Sequence, residues 1–345
     1  MPEQSIDIQF TLNGEPHQLS VDPKRAALSV LREELGVRSL TAGCSPQGIC
    51  GCCTAIINGK PRLTCTLRAK SLNGKEIETH DSFSEAEQAA VTTAFAATGA
   101  TQCGYCTPGI ATQAICLLRN VPEPDETIID KALNQHVCRC TGWTRIREAI
   151  KLTGQLLAGA EPTLPGGLST PTTAAAVLGR RTRIEDMTRP GMVHVAPCFA
   201  PHARCRVTAI DIPDGITALT AADIPGAVVV GGQPLLIALG AETRCAADVI
   251  ALAVGDSAEA ARAAAASITI TAEPLELVLH PEAGEIIAEH HITRGTPPAP
   301  ATVAHTASAT VSTAAADPAF LEPDAAMAVP MAEGVVRVYS PSQDP

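Results

Sequence analysis

Ten of the thirteen cysteines in this 345-residue chain fall before residue 141, and eight of them stand in two closely spaced sets. Any fold must therefore gather four thiols between residues 44 and 65, and four more between 103 and 140. Overall cysteine content lies well below the roughly 8–10% of a secreted disulfide scaffold, so clustering of this kind points to metal ligation.

The first set is Cys44, Cys50, Cys53 and Cys65, a C-x5-C-x2-C run with a fourth cysteine after eleven further residues. Plant-type ferredoxins hold a [2Fe-2S] cluster with C-x4-C-x2-C and a distant fourth cysteine. Here the first gap is one residue longer. Gly43, Gly48 and Gly51 lie among the ligands and let backbone approach a small cluster closely. Cys52 competes with Cys53 for the third position, and Cys53 is preferred because it keeps the x2 spacing. The second set is Cys103 and Cys106 in Gln-Cys-Gly-Tyr-Cys, with Cys138 and Cys140 in Cys-Arg-Cys-Thr-Gly. Each pair precedes a predicted helix, whose free N–H groups and positive dipole end suit an anionic cluster. A structural zinc site is the competing reading of paired cysteines. The C-x-C spacing and the neighbouring ferredoxin-like set make it the poorer one.

Hydrophobic periodicity divides the chain into blocks. Ile6, Ile8, Phe10 and Leu12 alternate with polar residues, and Asn13-Gly14 turns the chain into a second strand around Leu19 and Val21. Leu28, Leu31 and Leu35 predict a helix closed by Gly36, and a second hairpin turns at Asn58-Gly59. This order predicts an α+β domain with a mixed sheet over residues 1–81. Residues 82–158 predict a compact four-helix domain. Ser84 and Glu87 form a capping box, Thr107-Pro108 opens the second helix, a third centres on 128–133, and a fourth runs over 144–157. A Pro/Gly/Ser/Thr-rich linker covers 159–173. An α/β domain follows over 174–283, with an apolar run at 249–254 and an Ala-rich helix at 258–266. Residues 284–345 open as an Ala/Thr/Pro-rich extended connection and become apolar again near the end.

Composition excludes several function classes. Hydrophobic residues make up 46% of the chain, enough for several cores, which excludes a disordered chain. The chain carries 25 Lys and Arg against 36 Asp and Glu and only eight aromatic residues. It therefore offers neither a basic stripe for phosphates nor stacking platforms, and nucleic acid is not an expected partner. The first ten residues lack a basic region followed by an apolar run, so a secretory signal is not expected and a reducing cytoplasm is the default. Residues 224–241 are uncharged, but Pro225, Pro234 and the Gly231-Gly232 pair suit short buried strands better than a membrane span.

Three stretches carry a resemblance: GCSPQGICGCCTAIING (43–59), TQCGYCTPGI (101–110) and VCRCTGWTRIREAI (137–150). Residues 1–157 resemble the two-domain iron–sulfur module of the molybdenum hydroxylases, the xanthine dehydrogenase and aldehyde oxidoreductase family. The resemblance implies a β-grasp, ferredoxin-like domain with one [2Fe-2S] cluster on Cys44, Cys50, Cys53 and Cys65. It implies a second cluster in the helical domain on Cys103, Cys106, Cys138 and Cys140. It also implies that Gln102 and Cys140 lie beside a molybdopterin. Cys52 stands where many members have alanine, and Trp143 where tyrosine is usual. Residues 189–211, 219–226 and 248–265 resemble, more weakly, the α/β hammerhead domain. Residues 320–345 resemble the opening of the first molybdopterin-binding domain, and there the sequence ends.

The expected function is that of an iron–sulfur and partial molybdenum subunit, an oxidoreductase only within a complex. Electrons would pass from the pterin through the two clusters to an external acceptor, and a second, large chain would complete the molybdopterin site. No catalytic residue is expected in this chain. The Pro-Gln-Gly and Cys-Gly-Cys-Cys wording inclines the reading to the xanthine dehydrogenase type, with aldehydes and other N-heterocycles as alternative substrates. A stand-alone electron carrier and a truncated product are the competing readings. No Rossmann fingerprint appears, so any flavin belongs to another subunit. Cys116, Cys198, Cys205 and Cys245 are expected to be buried and unliganded, His290-His291 solvated, and Asp248 the end of a strand.

Overall fold

The computed structural model describes residues 5–341, apart from 45, 165–170, 227–228, 231, 280–285, 287–288, 297–303, 306, 315, 317–318 and 320. Part of the expected linker and parts of the expected extended connection lie outside the described residues. The chain forms two compact units, Met1–Met187 with Ser312–Pro345, and Thr188–Val311.

In the first unit, β1 (Ile6–Leu12) and β2 (Glu15–Val21) pair antiparallel from Ile6 opposite Val21 to Leu12 opposite Glu15. Asn13 and Gly14 both take positive φ, as the tight hairpin turn requires. The alternation buries Ile8, Phe10 and Leu12. The expected helix is short: α1 (Ala27–Ser29) widens at once into a π turn over Val30–Glu34, and Gly36 at φ +68° follows it. Next come β3 (Thr54–Ile57), β4 (Lys60–Leu63) and a strand not expected from the pattern, β5 (Glu76–Glu78). β5 pairs parallel with β1 and antiparallel with β3, which gives the mixed order β2-β1-β5-β3-β4. Three residues are too few to show an alternation, so only tertiary pairing reveals the central strand.

Four helices follow: α2 (Glu85–Thr98), α3 (Thr107–Asn120), α4 (Glu126–Ala132) and α5 (Thr144–Leu157). Ser84 and Glu87 form a reciprocal capping box, and Gly99 closes α2 in the left-handed conformation. Asp125 caps α4 by accepting from the Ile128 N–H at 2.8 Å. Phe95, Ile110, Ile115, Ile129, Ile146 and Ile150 build the core between these helices, and Cys50, Cys52 and Ile56 belong to the same core. The sheet and the helices thus share packed surface. A further helix, α6 (Pro171–Val177), adds the fully buried Val177 to it.

The second unit contains β6 (His194–Phe199), β7 (Cys205–Asp211), β8 (Thr217–Thr220), β9 (Val229–Val230), β10 (Gln233–Pro234), β11 (Val249–Gly255), α7 (Ala258–Ser267) and β12 (Thr269–Pro274). Its three-stranded sheet runs β6-β11-β8, α7 packs on β6 and β11, and β7 pairs with β12. Cys198 and Cys205 are buried here as expected, whereas Cys245 is exposed. The apolar run 224–241 is not a pair of buried strands either. β9 and β10 form a two-residue ribbon with exposed faces, and among the described residues of the run only Leu236 and Ile237 are buried. Among the described residues, no helix is long and apolar enough to cross a membrane.

Near its end the chain forms a hairpin of β13 (Met327–Pro330) and β14 (Val336–Tyr339). Val335, Val336 and Val338 keep their side chains exposed.

Candidate metal centres

The loop that bears Cys44, Cys50 and Cys53 lies between the π turn and β3, and Cys65 follows β4. Cys50, Cys53 and Cys65 are buried and Cys44 is half-buried. Backbone bonds Thr64 N–H to Cys53 O (3.2 Å) and Thr41 N–H to Cys52 O (3.3 Å) tie the loop to its flanks. The thiols stand in pairs: Cys53 and Cys65 are within hydrogen-bonding reach of each other, and so are Cys44 and Cys50. The Cys65 S–H draws the Cys53 thiol down to about 7 against the opposing effect of burial, while Cys65 itself is pushed up. Hydrogen bonding from Cys52 brings Cys50 down to about 5, with Cys44 adding to the effect.

Cys52 and Cys53 face different cores. Cys53 packs with Leu31, Ala55 and Cys65 in the sheet domain, and Cys52 packs with Cys50, Tyr105 and Ile110 among the helices. The side chains of adjacent residues diverge, so of the two only Cys53 meets Cys65. The Cys52 thiol, hydrogen-bonded to Cys50 and fully buried, is pushed far up.

The second set is assembled from two helix entries. Cys106 caps α3 at its N-terminus, and Cys138 and Cys140 precede α5. Again the thiols pair, Cys106 with Cys138 and Cys103 with Cys140. The Cys106 S–H lowers Cys138 to about 5, with help from Thr141 Oγ1 at 3.1 Å, and Cys106 is raised in return. Burial raises Cys103. In the Cys53–Cys65 and Cys106–Cys138 pairs one thiol is thus drawn toward the thiolate, the metal-binding form. Gly142 and Trp143 both have positive φ, a sharp reversal between Cys140 and α5, with Trp143 packed on the helical core.

Gln102 donates from Nε2 to the Cys140 carbonyl at 3.2 Å, and the Gln102 side chain is exposed. Among the described residues, no three Cys, His, Asp or Glu side chains close on one point as a single ion would need. Two thiol pairs in each set suit a two-iron cluster, which takes four thiolates.

The two loops also touch. Gly109, in the first turn of α3, lies so close to the first loop that a Cβ there would sit 2.3 Å from the Gly51 carbonyl and 2.9 Å from Cys52 Cα. Tyr105, between Cys103 and Cys106 in sequence, is fully buried and accepts from the Ala42 N–H at 3.2 Å. The sequence marked Tyr105 only as a spacer, because its partners come from residues far along the chain.

A profile of the [2Fe-2S] binding domain family matches residues 79–151. The nicotinate dehydrogenase small FeS subunit of Eubacterium barkeri is 38% identical over 147 residues, 42% of this chain and 93% of that protein. The chain belongs to the molybdenum hydroxylase family. A second member, the xanthine dehydrogenase iron-sulfur-binding subunit of Escherichia coli O157:H7, is 36% identical over 146 residues, 41% of this chain and 91% of that protein. Among solved structures, aldehyde oxidoreductase from Desulfovibrio gigas superimposes with a TM-score of 0.70 at 26% identity. The match covers 79% of this chain and 34% of that one, so the chain spans about a third of that molybdenum hydroxylase. Iron–sulfur clusters and molybdopterin are cofactors at the level of this multidomain α+β family.

Proposed function

We propose that this chain is the iron–sulfur electron-transfer component of a molybdenum hydroxylase, with two [2Fe-2S] clusters on its own residues. Cys44, Cys50, Cys53 and Cys65 hold one in a β-grasp domain (1–81). Cys103, Cys106, Cys138 and Cys140 hold the other in a four-helix domain (82–158). The linker (159–173), a hammerhead domain (174–283) and the start of a molybdopterin-binding domain (284–345) complete the assignment. The convergence of thiols carries the reading: Cys44, Cys50, Cys53 and Cys65 lie within reach of one another in pairs and would hold the first cluster, and Cys103 with Cys140 and Cys106 with Cys138 would hold the second.

When bound, such clusters accept and release one electron at a time without proton transfer to the substrate. The chain's own residues position the sulfurs, keep water from Cys50, Cys53, Cys65 and Cys106, and present Gln102 and Cys140 on an exposed edge. On that edge a molybdopterin held mainly by a partner chain would meet the second cluster. The active form is accordingly a complex with a large molybdopterin-binding subunit, and any flavin sits on a further one. We assign the enzyme to the xanthine dehydrogenase type. The substrate pocket belongs to the partner.

The test is composition and company. Protein purified from its native source should be red-brown, carry about four irons and four acid-labile sulfides per chain, and bring a molybdopterin-containing chain with it. Stoichiometric zinc without visible absorption overturns the iron–sulfur assignment. A red-brown protein that stays free of any molybdopterin chain overturns the complex.

A further inference from the structure

Tyr105 belongs to both cysteine sets at once. Its backbone lies in the second loop, between Cys103 and Cys106, yet its ring reaches the first. Tyr105 Cε1 is 3.4 Å from where a Gly43 Cβ would stand, and Gly43 precedes Cys44. The phenol accepts from the Ala42 N–H at 3.2 Å, and Thr41 Oγ1 donates to the Tyr105 carbonyl at 3.1 Å. Three consecutive residues before Cys44 are thus in contact with this one side chain or its backbone.

The ring is also clamped from outside both loops. Tyr105 Oη donates to Glu185 Oε1 at 2.8 Å, and the Arg183 guanidinium lies 4.4 Å from the ring centre. Arg183 is itself buried and is 3.1 Å from Glu322. Arg32 Nη2 meets Asp186 Oδ1 at 2.6 Å, which anchors the segment to the π turn. A side chain with no solvent exposure, one hydrogen bond on each side and a cation on its face is held in a single position. Rigid packed contact of that kind is what a fixed pathway between two redox centres needs.

We propose that Tyr105 is the positioning residue that couples the two iron–sulfur centres, and that Glu185 and Arg183 hold it in place. The inference rests on the two-cluster reading above. In the step it would serve, one electron would pass from a reduced centre held by Cys103, Cys106, Cys138 and Cys140 to an oxidised centre held by Cys44, Cys50, Cys53 and Cys65. No bond forms or breaks, and the phenol keeps its proton and is neither oxidised nor reduced. The ring supplies contact between the Cys106 backbone and the Gly43-Cys44 segment where a smaller side chain would leave a gap.

The experiment compares the full-length, cluster-loaded protein with Tyr105→Leu, Tyr105→Phe, Glu185→Ala and Cys52→Ala. It reads the rate of inter-centre transfer after rapid photoreduction by a single electron, and the magnetic splitting between the two reduced centres by EPR. Tyr105→Leu should keep both spectroscopic signals but slow transfer about tenfold and weaken the splitting, because lost packing forfeits contact outright. Tyr105→Phe, which keeps the ring but loses the hydroxyl's bonds to Ala42 and Glu185, should slow transfer severalfold, as Glu185→Ala should, and less than Tyr105→Leu. Parent-like rate and splitting in Tyr105→Leu overturn the proposal, as does a loss confined to Cys52→Ala, which would route the coupling through the buried Cys52 instead. If Tyr105→Leu does not load both centres, Glu185→Ala decides. It alters neither cysteine loop, so a severalfold slowing supports the proposal and an unchanged rate overturns it. Absence of two distinct centres in the parent would instead defeat the two-cluster reading, a separate failure.

Discussion

The α-carbon of Gly109 rests against the carbonyl of Gly51, so close that any side chain on α3 at this position would enter the backbone of the first cysteine loop. The neighbours are the Gly51 and Cys52 main chain, which cannot rotate away as a flexible side chain would. Gly109→Ala should therefore lower stability by about 1–3 kcal/mol, the usual range for overpacking. Its expected signature is a reduced urea midpoint together with weaker retention of the first cluster. An unchanged midpoint would show that α3 does not seat on this loop.

Divergence of Cys52 and Cys53 predicts a clear split between neighbouring substitutions. Cys53→Ser removes the partner of Cys65 and should leave about two irons per chain, those of the second cluster. Cys52→Ser should retain about four, with its main effect on stability, because a buried hydroxyl in an apolar core costs about 1–3 kcal/mol. Iron analysis beside visible absorption checks both. The reverse pattern would mean that the loop is threaded through Cys52.

Asp186 shows how far the N-terminal assembly extends beyond the helices. Its carboxylate pairs with Arg32 at 2.6 Å and with Arg38 at 3.2 Å, and the Arg32 and Asp186 side chains are 9% and 6% exposed. Asp186→Ala leaves buried Arg32 with the Leu40 carbonyl and with Glu185, at 3.8 Å, as its remaining carboxylate. The loss should be about 3 kcal/mol, measured by denaturant unfolding, since breaking a buried pair strands a charge. For the same reason a fragment ending near residue 160, which the linker composition suggests as self-sufficient, should be less stable than one ending at residue 187. The shorter piece lacks Val177, Arg183, Glu185 and Asp186 from the shared core and its charge network. Equal melting temperatures for the two fragments would contradict this account.

His80 gives the protein an acid-sensitive point away from the cysteines. The ring is 2% exposed and neither nitrogen has a hydrogen-bond partner. Burial holds its pKa below the ordinary value, with Asp81 acting in the opposite direction and Arg180 in the same one. The folded protein keeps His80 neutral at pH values where the unfolded chain has already bound a proton. Stability is therefore fully present above about pH 6.5 and is lost as pH falls below it. Unfolding free energies measured at pH 7.5 and 5.5 should show this decline, and His80→Leu should flatten it. A variant with the parent's slope would assign the decline to other groups.

Much of this architecture is legible in the sequence because its signals are local. The Asn13-Gly14 hairpin, the Ser84/Glu87 capping box, Pro108 at the start of α3 and the full extent of α5 follow from chain neighbours. The eight cysteines proposed as ligands are legible for a similar reason, since their spacings are those two-iron clusters use. What the local pattern does not contain is anything settled by a distant partner. β5 is a strand only because β1 and β3 flank it, and α1 turns into a π turn only where the sheet core receives Leu31. Cys245 is exposed although its composition class is usually buried. Tyr105 reads as a spacer until Ala42, some 60 residues earlier, and Glu185, 80 residues later, close on its hydroxyl. The proposed ligand identities follow from spacing along the chain, which the amino-acid sequence determines by itself. Ligand pairing and the contact between the two loops depend on how two separately nucleated cores pack, and only the tertiary structure decides that.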